Sequence, residues 1–419
     1  MEKENAAMES RYAEWFNAFI QNSNENERQK EAVNLLLSRL KEKVPSAFNS
    51  KSGESTTFVD LMCGPGDMTL GYKQALQNID LKNVQAIGVE LRDDHVESWK
   101  SKLGQDDIII KGDVGDKDFD INKLAGTEGN KKPVAIFWGH GGYYLYKSKL
   151  GEEKGSEQEI GVQPSLDNVV SLIHKTLGEN GIAVSVHKSA EWTDIPKKRF
   201  SKLVESHTTD ALEKSYEKQN IKHQAITFEC ELKTPEMTPN IKRQLSGERI
   251  EEYNKMQSGD TKTTRQILEF LIHTPLEELG KDLFDLISKS KDNYQEFIEK
   301  YPSGDMPVTR SQYNGIKNGH TTFNEFNHQK RKEYISYIDD LSKKHKGVIP
   351  TYVKFDVSVS KEASPEFADA VLATVRELDS EIGKKINLPD FLQVKREIES
   401  KVVGMEQLEL EKKRAAVRG

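Results

Sequence analysis

The residues best suited to chemistry stand where short apolar runs end. Asp60-Leu61-Met62-Cys63-Gly64-Pro65-Gly66-Asp67 closes the run TFVDLM and precedes an amphipathic stretch, so it reads as a strand, a tight glycine turn and the start of a helix. In open α/β sheets such a turn lies on the crest formed by the strand ends, where ligands bind. Two phosphate-cradling readings fail on spacing: a dinucleotide fingerprint needs a third glycine where this chain has Thr69, and no Gly-Lys-Ser/Thr follows. Glu90 ends the next run, AIGVE, and a carboxylate there can accept hydrogen bonds from both hydroxyls of a ribose lying across the turn. Gly112-Asp113 follows the third run and places an acceptor near a nucleobase amino group. Trp138-Gly139-His140 follows the fourth and sets a small residue against the nucleoside. Asp60, Gly64, Gly66, Glu90 and Asp113 therefore fall at successive strand ends, and that order says more than any one motif.

These residues need a parallel sheet to bring them together. The runs TFVDLM, AIGVE, DIIIK, PVAIFW and GIAVSV alternate with helical patterns over Met68 to Gln77, His95 to Leu103 and Pro164 to Leu177, which is βαβ alternation. Two further strands are predicted at Ile221 to Leu232 and Thr351 to Ser360, giving a mostly parallel α/β sheet of seven strands. The charged, helix-prone sequence between those two strands, 233–346, is expected to be a helical insertion on the substrate side. Residues 1–50 should form a helical cap: Tyr12, Trp15, Phe16, Phe19 and Ile20 share one stripe, and Val33, Leu36, Leu37 and Leu40 mark a second helix after a polar break at Asn22 to Asn26. The core is then 51–232 with 347–360. Residues 361–419 are expected to form a C-terminal helical hairpin, its first arm starting at Ser364-Pro365 and its second at Pro389.

With 419 residues the chain exceeds one ordinary domain, and 35% hydrophobic against 31% charged residues implies long solvated helices around a modest core. The 61 basic and 68 acidic side chains are interspersed, so no basic face is expected for nucleic acid. Cys63 and Cys230 fit neither a disulfide framework nor a zinc ribbon, and no metal is expected. The start, MEKENAAMES, lacks the character of a signal peptide, and no run approaches ~18 apolar residues, so a cytoplasmic chain without membrane association is expected.

The helix RYAEWFNAFIQNSNENE, the turn FVDLMCGPGD, the segment IFWGHGGYYL and the stretch LGENGIAVSVHKSAEW together resemble the histamine N-methyltransferase family, in order from about Tyr12 to Phe270. The resemblance implies a class I S-adenosylmethionine-dependent methyltransferase with a Rossmann-like sheet and an antiparallel last strand. It implies that Cys63, Gly64, Glu90, His95, Asp113 and Gly139 hold the cofactor, and that Glu25 binds the amine or imidazole of a small substrate. Tyr12, Phe16, Tyr143, Tyr144, Trp192 and Phe270 fall at or near the positions that wall the family's substrate pocket, and aromatic faces attract cations by ~0.5–2 kcal/mol each.

The chain departs from that pattern in two places. His140 stands where the family has a glutamine, and Thr351 stands near its asparagine, so the substrate is expected to differ from histamine. His140 could take the departing proton or orient the substrate. The expected reaction is in-line transfer of a methyl group to nitrogen, with Glu25 and His140 as the catalytic pair. Two other readings stay open: a protein or peptide N-methyltransferase whose insertion forms a groove, and an inactive scaffold that recruits a second copy or a partner protein through its C-terminal helices.

Overall fold

Seven strands pair into one sheet: β1 (Thr56–Leu61), β2 (Val84–Glu90), β3 (Ile108–Lys111), β4 (Ala135–Gly139), β5 (Ile182–Lys188), β6 (His223–Lys233) and β7 (Val348–Val359). The structure is a computed structural model. It describes residues 14–45, 56–114, 132–139, 162–188, 207–234, 236–247, 260–272, 274–300 and 308–382, together with Arg11, Asp116, Phe119 and Asp120. The strand order is β3-β2-β1-β4-β5-β7-β6. β1 to β5 are parallel, and β7 runs antiparallel to both its neighbours. This order with a reversed β7 is the class I methyltransferase sheet, as the sequence led one to expect. All six residues of β1 are buried, which is why the central strands read as unbroken apolar runs.

The helices on one face are α1 (Glu25–Lys43), α2 (Asp67–Asn78) and α3 (Asp93–Lys102); α4 (Val162–Thr176) and α5 (His207–Lys218) lie on the other. Between β6 and β7 come α6 (Pro239–Ser246), α7 (Asp260–Ile272), α8 (Lys281–Lys289), α9 (Tyr294–Lys300), α10 (Arg310–Lys317) and α11 (Phe323–Lys344), and α12 (Pro365–Glu381) follows β7. Because β6 runs parallel to β5, its last residue Lys233 and the first of β7, Val348, pair on the same crest as Glu90 and Gly139. The insertion, with six α-helices among its described residues, is thus rooted over the crest. There Phe270, Leu271, Tyr334 and Ile338 pack with Trp15 and Phe19 of a helix at 14–22.

α12 completes the first face. Ser364 caps it by accepting the Phe367 N–H at 3.2 Å, and Phe367, Val371, Val375 and Leu378 enter the core shared with α1 and β7. Ion pairs from Arg39 and Lys43 to Glu377 and from Arg39 to Glu381 flank this contact. The second arm expected from Pro389 lies outside the described residues.

The N-terminal break is shorter than its asparagines suggest. Only Ser23 and Asn24 leave the helical path, because they zip onto the end of β6: the Asn24 N–H donates to Glu231 O at 3.1 Å and Asn24 Oδ1 accepts the Glu231 N–H at 2.7 Å. Glu25 consequently opens α1 instead of sitting in a solvated turn.

Candidate active site

The turn after β1 is left-handed at three residues, Met62 (φ 55°), Gly64 (φ 55°) and Gly66 (φ 91°). Gly66 is required twice over: L side chains avoid that φ, and a Cβ there would stand 2.9 Å from Cδ1 of Trp99. Met62 bears the same conformation without a glycine's freedom, a strain of roughly 1 kcal/mol or more held by its surroundings. The Cys63 N–H donates to Val89 O at 3.1 Å, tying the turn to β2.

Glu90 is the hub of this crest. Its Oε2 accepts the Gly64 N–H at 2.9 Å, and its Oε1 accepts the N–H groups of Leu91 at 2.9 Å and Arg92 at 3.0 Å. His95 Nδ1 lies 3.7 Å from Oε2, an electrostatic contact longer than a hydrogen bond. Burial alone would raise this carboxyl, but His95 and the backbone donors of Arg92 and Gly64 outweigh it and hold the group below its ordinary range. A carboxylate offers about four lone-pair positions, and three are filled by the backbone, all but one of those on Oε1. Beside it Leu91 is 59% exposed, an apolar surface at the crest.

Asp60 points elsewhere. Buried in β1, its Oδ2 accepts the Thr69 hydroxyl at 2.6 Å, and Thr69 Oγ1 accepts the Trp99 indole N–H at 3.2 Å. The chain Trp99 to Thr69 to Asp60 braces α2 and α3 against the sheet. Burial pushes the Asp60 carboxyl up to about 7, the Thr69 hydrogen bond opposing and Glu90 adding to the rise. The Cys63 thiol is pushed well up by burial, then by Asp60 and Glu90, which leaves it a packing group. At the end of β4 a Cβ on Gly139 would meet the Tyr72 hydroxyl at 3.8 Å, and Tyr72 stacks on Phe137 with centroids 4.0 Å apart. Asp113 follows β3 as an exposed residue.

On the insertion side, Phe16 and Phe270 meet with ring centroids 5.8 Å apart, and Phe19 packs on Phe270 at 4.6 Å. Phe270 is buried, whereas Phe16 keeps part of its surface open. Glu25 is fully buried at the crest, its Oε1 accepting Gln29 Nε2–H at 3.2 Å. It acts electrostatically on Cys230, which pairs across β6 and β7 with Thr351. Thr351 is 2% exposed, and its hydroxyl makes no hydrogen bond among the described residues. The fold therefore brings Glu25 and Thr351 to the same strand pair from opposite ends of the chain. Tyr12, His140, Tyr143, Tyr144 and Trp192 lie outside the described residues.

Sequence reading missed Trp99, Tyr72, Gln29 and the bracing role of Thr69. Thr69 carried a signal, a hydroxyl where the dinucleotide motif has glycine. The others are specified only by contacts between separate helices and strands.

No family model matches the chain, and no curated protein matches it in sequence. Among solved structures it is similar to the plantazolicin methyltransferase BamL, solved with a triazolic desmethylPZN analog and SAH, at 13% identity and a TM-score of 0.32, over 85% of this chain and 91% of that one. It is similar to DesVI of Streptomyces venezuelae at 15% identity and a TM-score of 0.26, over 41% of this chain and 56% of that one, so it spans little more than half of DesVI. A TehB-like SAM-dependent methyltransferase from Corynebacterium glutamicum shares 14% identity at a TM-score of 0.26, over 46% and 76% of the two chains. The fold assignment itself rests on the strand order and the reversed β7. Among the described residues, no helix is long and apolar enough to cross a membrane.

Proposed function

We propose that this chain is an S-adenosylmethionine-dependent methyltransferase that methylates a nitrogen of a small cationic amine. The observation that carries the reading is Glu90, an ionised carboxylate at the end of β2 hydrogen-bonded to the glycine turn after β1. The residues fit the nucleoside: the free position on Oε2 can take one ribose hydroxyl, and space is open beside Gly64, where an added Cβ would meet nothing within 4 Å. Leu91 offers apolar surface to the base, Asp113 an acceptor to its amino group, and Gly139 a floor without a side chain.

When bound, S-adenosylmethionine supplies a methyl group on a sulfonium, which makes carbon electrophilic towards a neutral amine. Glu90 and the turn fix the nucleoside. Glu25, buried at the crest, anchors the cationic end of the substrate, and Phe16 with Phe270 shields it from water; Tyr12, Tyr143, Tyr144 and Trp192 complete that wall. His140, next after Gly139, orients the nucleophile or takes its proton. Alignment at ~3–3.5 Å contributes ~7–11 kcal/mol, so positioning outweighs base strength.

Calorimetric titration with S-adenosylmethionine, repeated on Glu90→Ala, followed by a methyl-transfer screen against small amines, tests the reading. Micromolar binding lost in the variant supports the cofactor site. A folded wild-type chain that fails to bind removes the methyltransferase reading, and binding without turnover on any amine removes the substrate class.

A further inference from the structure

The sheet face under α4 and α5 carries a row of polar side chains that the crest does not use. Ser185 and His187 on β5 and Lys354, Asp356 and Ser358 on β7 alternate with Val184, Val186, Phe355 and Val357, which belong to the opposite core. Asp356 stands in register between Ser185 of β5 and Ala225 of β6. From α5 the Tyr216 hydroxyl lies 3.1 Å from Ser185 Oγ and also bonds to Ser358, and from α4 His174 Nε2 lies 3.4 Å from Ser358 Oγ. The hydroxyls thus satisfy one another and leave Asp356 out: it is 1% exposed, and among the described residues neither of its oxygens finds a hydrogen-bond donor.

The charged and titratable groups around it are few. Lys354 of β7 is ion-paired with Glu213 of α5; His187 faces it from β5, His174 from α4, and His223 of β6 holds its ring 4.8 Å from that of Tyr216. An unbonded carboxylate in such surroundings is too costly to stay ionised, so it keeps its proton. Burial pushes the carboxyl up to about 7, with Lys354 opposing and Glu213 adding to the rise.

We propose that Asp356 is a proton-operated latch on the antiparallel edge of the sheet: protonated, it lets α5 seat on β5, β7 and β6, and ionised, it releases α5. In the opening step the carboxyl O–H bond breaks, the proton passes to water and the carboxylate gains solvent. The closed form holds its proton up to a pH of about 7 and the opened form only to its ordinary 3.8, so opening releases a proton between those values. The opening constant therefore grows on the order of tenfold per pH unit from about 5 to 7 and levels off above. His174, held down to about 4 by burial and then by Lys361, titrates with the opposite sign.

The test is amide hydrogen exchange of the whole chain from pH 5 to 8, corrected for intrinsic exchange, in wild type and Asp356→Asn. The ratio of wild-type to variant rates in α5 removes the share of His174. That ratio should climb on the order of tenfold per pH unit between 5 and 7 and then flatten. In α10, which packs in a separate cluster around Tyr313 and Ile316, it should stay constant. A ratio in α5 that does not change with pH overturns the latch. If Asp356→Asn does not fold, Asp356→Ser serves in its place, and a wild-type Asp356 carboxyl carbon that titrates below about pH 5 by NMR overturns it equally.

Discussion

The backbone N–H of Gly64 and the side chain of Glu90, 26 residues apart, meet at 2.9 Å, so the turn after β1 is pinned by the carboxylate that ends β2. With three backbone N–H groups already on that carboxylate, two ribose hydroxyls can bind only if one of the three lets go, and the single donor on Oε2 is the Gly64 N–H. Glu90→Gln removes the charge and turns one acceptor into a donor facing N–H groups. Losing one or two charge-assisted bonds at ~1.5–3 kcal/mol each weakens S-adenosylmethionine binding about a hundredfold. Titration calorimetry on the folded variant reads this, and unchanged affinity would remove Glu90 from the site.

Gly66→Ala combines a disfavoured left-handed residue with a 2.9 Å approach to Trp99. The expected loss of stability is about 2 kcal/mol or more, with a change in tryptophan emission as the ring is displaced. Denaturant unfolding followed by fluorescence checks both; Gly64→Ala, whose Cβ meets nothing, should lack the emission change.

The carboxyl of Asp60, raised to about 7, makes stability depend on pH with a definite sign. The folded chain keeps the proton that the unfolded chain gives up near 3.8, so stability is full below about pH 4, falls as pH rises to about 7 and is flat above. Asp60→Asn keeps the Thr69 hydroxyl bonded to an amide oxygen and removes this dependence. Relative to wild type it should gain on the order of 2–4 kcal/mol between pH 5 and pH 8, measured by chemical unfolding at both. Equal behaviour at the two pH values would show that Asp60 is ionised in the fold.

Glu25 tests the substrate end independently of the cofactor. Glu25→Gln keeps shape and the contact with Gln29 but removes the charge that anchors a cation. If the substrate is cationic, kcat/KM should drop about a hundredfold while affinity for S-adenosylmethionine stays the same. A variant as active as wild type would leave Glu25 a structural residue of α1.

α12 separates apolar burial from surface charge. Leu378→Ala, in the core, should cost about 2–5 kcal/mol, whereas Glu377→Ala, which breaks exposed pairs with Lys43 and Arg39, should leave the unfolding midpoint nearly unchanged. Thermal or denaturant unfolding ranks the two, and the reverse order would mean that α12 is held by its ion pairs.

The sequence by itself determined the sheet and the order of its crest residues, because strand periodicity, glycine turns and a terminal carboxylate are local signals. TFVDLM, AIGVE and PVAIFW needed no partner to be read, and Gly64, Gly66 and Glu90 followed from where those runs stop. Tertiary structure decided what these groups face. Asp60 shares the motif with Gly64 yet turns onto Thr69 and Trp99, since which side of β1 receives α2 and α3 is a matter of packing. Glu25 falls within the polar break at Asn22 to Asn26, but Asn24 pairs with β6, 207 residues away, and Ser23 bridges to the same strand, which draws Glu25 into the crest. Asp356 reads as one polar residue in a half-polar strand; only the arrival of Tyr216 and His174 over it leaves its carboxyl buried without a donor. Long-range contacts of this kind depend on the joint geometry of several elements, and no spacing within one segment encodes them.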